Sequence, residues 1–171
     1  MEDYVFDMIS ERIADFFEDC NCEDVSIEYA DQFYYDYDND VIGYTYNADD
    51  SDRDFVTFFE RELNGLSLNC FLYSLFHEYG HKMTIDDFTT DKREKYHSTV
   101  SALTSSNLDD AAINESYFNL DIELAATNWA RNFIKKHYNK IAIWYNTMIF
   151  PLLLKVLEET TMPDWRFAII K

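Results

Sequence analysis

Apolar side chains recur at helical spacing at the start of the chain. From Glu2 to Asp19 they fall on one stripe, and most of the remaining positions are acidic or polar. A period of three to four residues is typical of an amphipathic helix whose apolar side packs into a core. The members of the stripe are Val5, Ile9, Ile13, Phe16 and Phe17.

Apolar and polar positions alternate between residues 25 and 46, a period of two that predicts strands at 25–29, 33–37 and 41–46. The segment between the second and third strands, 38–40, consists of turn-forming residues, so these strands are expected to form a hairpin. Its many tyrosines would form cross-strand aromatic pairs. The hairpin could also present an edge that binds a substrate strand, and both roles are open.

Helical patterns dominate the rest of the chain. A capping box opens a short helix over residues 51–63, and the next helix is expected from the N-cap residue Ser67 to about Met83. The polar stretch 84–110 predicts a loop with one helix near 96–103.

Two further helices are expected toward the end. The first spans residues 117–137, with His137 as a solvated residue near its C-terminus. The second, over 141–160, is strongly apolar and is expected to kink or break at Pro151, because proline lacks the N–H that continues a helix.

Composition indicates one packed domain over residues 1–171. The chain is 47% hydrophobic and 18% aromatic, which argues against disorder. No stretch is long and apolar enough to span a membrane, and the N-terminus lacks a cationic export segment. The three cysteines, Cys20, Cys22 and Cys70, fit reduced thiols better than a disulfide framework. We therefore expect a cytoplasmic protein without membrane association.

The acidic charge is concentrated in the first third of the chain. The net charge is -19, and residues 1–62 carry 20 acidic and 3 basic side chains, whereas residues 63–171 carry 13 and 11. The negative electrostatic potential of so many carboxylates repels the phosphate backbone of nucleic acids, so no direct binding of nucleic acid is expected. It favours a basic protein partner, although the same charge also serves solubility alone.

The pentapeptide His77-Glu78-Tyr79-Gly80-His81 carries the candidate chemistry. Two histidines four residues apart on a helix project from one face, one turn apart. Their nitrogens can share a tetrahedral cation, and zinc (Zn2+) suits imidazole ligands. The glutamate after the first histidine points off the metal axis yet can reach a water beside the ion. That is the place of the general base in His-Glu-x-x-His hydrolases.

A catalytic zinc ion usually has three protein ligands and one open position, so a third ligand is needed. Downstream, Glu123, Ala126 and Ala130 follow one another on one side of a predicted helix. Two alanines beside a carboxylate allow another helix to approach closely, and Gly80 gives the first helix a matching gap. We therefore predict Glu123 as the third ligand.

Other side chains near these motifs are rivals or helpers. Glu115 and Asp121 are alternative carboxylates, but neither has a face of small residues beside it. His97 and Tyr117 are candidates to stabilise a developing oxyanion. The sequence fixes no distance from either residue to the predicted metal.

The two motifs together resemble the ImmA/IrrE-type metallopeptidases of phages, mobile elements and their bacterial hosts. In that family the second motif commonly reads Glu-x-x-Ala-Asn-x-Phe-Ala, and its glutamate is the third zinc ligand, which corresponds to Glu123. Thr127 stands in place of the asparagine and Trp129 in place of the phenylalanine, and both are variations around a helix-packing position. The resemblance spans roughly residues 25–135 and is specific only at the two motifs.

The predicted fold class is α+β. The resemblance implies a compact, helix-rich, zincin-like domain with a small N-terminal antiparallel sheet and two packed helices that carry the ligands. Residues 1–50 would form the acidic helix and sheet, 51–137 the metal-site helices, and 138–171 the apolar C-terminal helices.

Two functions remain open. The first is a zinc-dependent peptidase that cleaves a regulatory or host protein, with Glu78 activating the attacking water. The second is a non-enzymatic acidic protein that occupies the DNA-binding surface of a host defence or regulatory protein, with a structural or vestigial zinc site.

Overall fold

The structure is a computed structural model that describes residues 2–28, 34–43, 68–152 and 155. It contains α1 (Glu2–Asp19), β1 (Ser26–Glu28), β2 (Tyr34–Asp36), β3 (Val41–Gly43), α2 (Leu68–Thr84), α3 (Thr90–Thr104), α4 (Asp110–Phe118) and α5 (Asp121–Trp144). A 3-10 turn, Ile85–Asp87, joins α2 to α3, and a π-helical turn, Tyr145–Ile149, follows α5. The predicted helix over 51–63, its capping box and the N-cap at Ser67 lie outside the described residues. The α+β class is confirmed.

Helix α1 buries the stripe that its sequence predicts. All five members of the stripe are buried, and Phe6 beside them is buried as well. The other positions of the helix up to Asp19 whose burial is described are exposed or partly exposed. Phe17 stacks on Tyr79 of α2, with ring centroids 3.8 Å apart. Phe16 stacks on Trp144 at the end of α5 at 4.3 Å, and the Trp144 indole N–H donates to the carbonyl of Arg12 at 2.9 Å. The helix is therefore fixed to both α2 and α5.

The sheet is mixed, so the prediction of an antiparallel sheet is wrong for one of its two pairings. Strands β2 and β3 pair antiparallel, as the predicted hairpin requires, but β1 pairs with β3 in parallel and the order is β1-β3-β2. All three residues of β3 are buried, whereas β1 and β2 expose part of their surface. A fully buried strand belongs in the centre of a sheet, and this places β1 beside β3 instead of β2.

Helix α2 packs against both α1 and α5, and its contact with α5 includes a glycine. Toward α1 it presents bulky rings, including Tyr79, which also donates a hydrogen bond to the carbonyl of Glu23. Toward α5 it presents Gly80. A Cβ at Gly80 would lie 2.5 Å from the carbonyl oxygen of Ala126, so only glycine allows this approach of the two backbones. The small-residue contact predicted between the two helices is confirmed.

Helix α5 departs from helical geometry at His137, the residue near which the predicted helix ends. The helix continues to Trp144, with a kink at His137, where φ is -111° and ψ is 15°. The His137 ring contacts Phe133 at a centroid distance of 4.6 Å, so it packs against the core edge and is not simply solvated. The sequence predicts a kink or break of the helix at Pro151. The structure instead has a π-helical turn, Tyr145–Ile149, just before this proline. Proline crowds the carbonyl four residues earlier, which lies within that turn.

The polar stretch 84–110 contains one helix, as predicted, but α3 begins six residues earlier than expected, at Thr90. Helix α4 follows it from Asp110. Asp109 caps α4 by accepting a hydrogen bond from the Ala112 N–H at 2.8 Å. No helix within the described ranges is long and apolar enough to cross a bilayer.

Candidate metal centre

Two buried histidines lie one turn apart on the face of α2 that meets α5. His77 is 7% exposed and His81 is 3% exposed, and their ring centroids are 4.8 Å apart. The four-residue spacing places both side chains on one side of the helix. Gly80 lies between them in the sequence and brings α5 close enough to meet both rings.

Glu123 enters the same space from the first turn of α5. Its side chain is completely buried, and its Oε2 lies 3.0 Å from Nε2 of His77 and 3.6 Å from Nε2 of His81. The ligand atoms of these three residues all lie within 4.8 Å of one another, so the group could hold a metal ion. The prediction that Glu123 joins the two histidines is thus matched by the geometry. The rival carboxylates Glu115 and Asp121 are exposed and belong to no such group within the described ranges.

Each of the three residues also contacts a hydroxyl group on its other side. Thr127 Oγ1 is 3.2 Å from Nδ1 of His77, and Tyr37 Oη is 3.4 Å from Nδ1 of His81. The Tyr96 hydroxyl donates a hydrogen bond to Oε1 of Glu123. Partners on Nδ1 leave Nε2 of each ring directed at the shared space, which is how ligating histidines are usually oriented.

The β2–β3 hairpin delivers Tyr37 to the cluster. Asp40 ends the hairpin loop with a positive φ of 56° and accepts hydrogen bonds from Tyr35 Oη at 2.5 Å and Lys82 Nζ at 2.5 Å. Because Lys82 follows His81 directly in α2, this ion pair holds the loop against the histidine-bearing turn.

Glu78 lies beside the cluster without belonging to it. Its side chain is half-buried, and burial raises the pKa of its carboxyl above the ordinary value, a shift that the neighbouring His81 and His77 oppose. A raised pKa brings a carboxylate closer to neutral pH, where a group can both accept and return a proton. The helix thus places the predicted base next to the ligands, as the motif requires.

The charge of Glu123 is stabilised by its neighbours. Burial by itself would raise the pKa of this carboxyl, but the hydrogen bonds with His77, His81 and Tyr96 hold it far below its usual range. The site therefore contains a buried carboxylate in its ionised form, ready to bind a cation.

The two predicted oxyanion stabilisers occupy different places. The Tyr117 hydroxyl lies 3.3 Å from that of Tyr96, and burial together with the nearby Glu123 raises its pKa, so it stays protonated. His97 is exposed, with its ring centroid 5.9 Å from that of Tyr37 and 5.3 Å from that of Tyr96. Tyr117 therefore lies within the site's hydrogen-bond network and His97 lies at its rim.

Three residues of the site are not predicted from the sequence. The pattern assigns Thr127 only to helix packing, although its position one turn after Glu123 places it on the same face and could have revealed it. Tyr96 and Tyr37 reach the cluster from α3 and from the hairpin loop. Nothing in their local sequence indicates contact with residues so distant along the chain.

No protein-family model, no curated protein and no solved structure matches this chain.

Proposed function

We propose that the protein is a zinc-dependent metallopeptidase in which His77, His81 and Glu123 hold the ion and Glu78 is the general base. The observation that carries this proposal is the buried convergence of two imidazole nitrogens and one carboxylate oxygen from two helices. Ligands about 2.0–2.1 Å from a tetrahedral zinc ion lie about 3.3 Å from one another. The distances of 3.0 and 3.6 Å from Glu123 Oε2 to the two Nε2 atoms bracket that value.

The composition of the donor set favours catalysis over a structural role. Structural zinc sites usually have four protein ligands, most of them cysteine, whereas hydrolytic sites have three and keep one position for water. The cluster contains three such groups in the described part of the chain. A zinc ion there would polarise a peptide carbonyl and acidify water. Glu78 would take a proton from the attacking water at its carboxylate and pass it to the leaving amine.

The surroundings of the cluster suit a polypeptide substrate. Phe118, about half exposed, places its ring centroid 6.5 Å from that of His77 and provides apolar surface at the site. In the described part of the sheet, β2 lies at one end of the order β1-β3-β2 and packs near α2, and a substrate strand added at that end would lie close to the ligand-bearing helix.

The resemblance to ImmA/IrrE-type peptidases supports a regulatory or host protein as the substrate. In that interpretation the chain acts in a phage or mobile element. The support is confined to the two motifs, whose ligand residues are also the ones that meet in the buried cluster.

The proposal is tested by comparing the wild-type protein with Glu78→Gln on a proteome-derived peptide library. The substitution keeps the size of the side chain and removes the base. We expect the wild-type protein, loaded with zinc, to cleave a subset of peptides, and Glu78→Gln to bind zinc equally and cleave none. Equal cleavage by both proteins would refute the role of Glu78, and no cleavage by the zinc-loaded wild type would count against the peptidase.

One observation favours a second function, that of an acidic protein that occupies a basic surface. Helix α1 exposes Asp7, Glu11 and Glu18 along one side, and few basic residues balance them. Binding of this kind weakens steeply with salt and does not require Glu78. A Glu78→Gln protein that keeps its full effect in cells, together with salt-sensitive capture of a basic partner, would make this the better account.

A further inference from the structure

The two oxygens of Glu123 face different partners. Oε2 is directed at Nε2 of both histidines, at 3.0 and 3.6 Å, whereas Oε1 accepts a hydrogen bond from the Tyr96 hydroxyl. The carboxylate is fully buried, so water does not compete for either oxygen. One oxygen is thus available to a cation and the other is held by the protein.

The hydroxyl on Oε1 is itself fixed. Tyr96 and Tyr117 are both half-buried, and their hydroxyl oxygens lie 3.3 Å apart. A phenol has one proton to donate, and an ionised carboxylate only accepts. Tyr96 therefore donates to Glu123, and the Tyr117 hydroxyl, which is hydrogen-bonded to that of Tyr96, also interacts with the Glu123 carboxylate. These hydrogen bonds connect Tyr117 of α4, Tyr96 of α3 and Glu123 of α5. They orient the carboxylate from the side opposite the two histidines.

Carboxylates bind cations through one oxygen or through both. A ligand that uses both oxygens fills an additional coordination position, which a hydrolytic site needs for water. We infer that Tyr96 is a positioning residue that restricts Glu123 to one metal-binding oxygen, Oε2, by occupying Oε1. This inference rests on the proposed metal site and adds to it the control of coordination number.

The test is Tyr96→Phe, which removes one oxygen atom and keeps the ring. Cobalt(II) is the probe, because four-coordinate cobalt absorbs visible light much more strongly than five-coordinate cobalt. We expect the cobalt-loaded variant to show weaker bands, typical of a higher coordination number. Its zinc affinity, measured by competition with a chelator, should fall by about tenfold or more, as is usual when an outer partner of a ligand is lost.

Matched controls separate this role from a purely structural one. Tyr138→Phe changes a side chain that is 68% exposed and should leave the spectrum unchanged. Tyr117→Phe leaves Tyr96 in place and should shift the spectrum in the same direction by a smaller amount, which keeps the inference testable if Tyr96→Phe fails to fold. A wild-type cobalt spectrum in both tyrosine variants overturns the inference even if affinity falls, since weaker binding alone would fit a packing defect. A wild-type protein that binds neither cobalt nor zinc refutes the proposed function itself.

Discussion

The acidic first third and the α2–α5 contact use carboxylates in opposite ways. In α1, Asp7, Glu11 and Glu18 lie on the solvent side of the helix. At the α2–α5 contact, the single carboxylate of Glu123 is completely buried between two imidazoles and a phenol. These three carboxylates of α1 are exposed to water, whereas that of Glu123 is removed from it.

This difference indicates where the chemistry of the molecule is. Burying a charge costs several kcal/mol per ion unless partners compensate, so a chain keeps a buried carboxylate only where its partners or a cation require it. Exposed carboxylates carry no such cost and mainly affect solubility and encounter with other molecules. Charge density alone would have pointed to α1, whereas burial and contacts point to Glu123.

Removing a histidine is expected to have the largest effect. His77→Ala or His81→Ala deletes one of three ligands, so the variants should retain no stoichiometric zinc. They should also lose the stabilisation that the ion gives the folded state, about 2.7 kcal/mol when zinc is at 100 times its dissociation constant. Elemental analysis and thermal unfolding with and without zinc measure both effects. Equal metal content and stability in variant and wild type would mean that the histidines are ordinary core residues.

Glu123→Ala tests the buried carboxylate against an exposed neighbour. We expect zinc affinity to fall by tenfold or more, an effect at least as large as that of losing an outer partner of a ligand. Asp121→Ala is the matched control, because Asp121 is exposed in the same turn of α5. Chelator competition gives both values. A larger loss in Asp121→Ala than in Glu123→Ala would reverse the assignment of the third ligand.

Gly80→Ala tests the close approach that unites the two helices. The new Cβ would lie 2.5 Å from the carbonyl oxygen of Ala126, so one helix must shift. Overpacking of this kind lowers the free energy of unfolding by about 1–3 kcal/mol. Denaturant unfolding measures it, with Ser101→Ala on the exposed side of α3 as the control. A Gly80→Ala protein that is more stable than the wild type would contradict the contact.

Neutralising the acidic side of α1 is expected to have the smallest effect. Replacing Asp7, Glu11 and Glu18 with their amides one at a time should change the free energy of unfolding by no more than about 0.5 kcal/mol each. Zinc affinity should remain that of the wild type, since none of the three touches the cluster. A clear fall in zinc affinity would show that the two regions are coupled.

The sequence predicted those features that depend on residues close together along the chain. The stripe of α1, the shared face of His77 and His81, and the small-residue contact of Gly80 with Ala126 follow from helical periodicity. Helical periodicity also predicted that Glu123 faces the two histidines, because Ala126 and Ala130 mark the side of its helix that packs against another helix.

Features that depend on the tertiary structure were not predicted from the sequence. The parallel pairing of β1 with β3 is decided by which strand is most buried in the folded molecule, and not by local alternation. Tyr37 contacts His81 from the hairpin loop, which the ion pair of Asp40 with Lys82 holds against α2. Tyr96 reaches Glu123 from α3, across 27 positions of the chain. Spacing along a helix holds no information about such contacts.

A zinc ion held by His77, His81 and Glu123 would be located directly by anomalous X-ray diffraction at the zinc absorption edge. Crystals of the protein reconstituted with zinc would be measured on both sides of the edge. We expect one anomalous peak per chain, located between Nε2 of the two histidines and Oε2 of Glu123. A peak on Glu115, Asp121 or the cysteines, or no peak after reconstitution, would contradict the proposed metal centre.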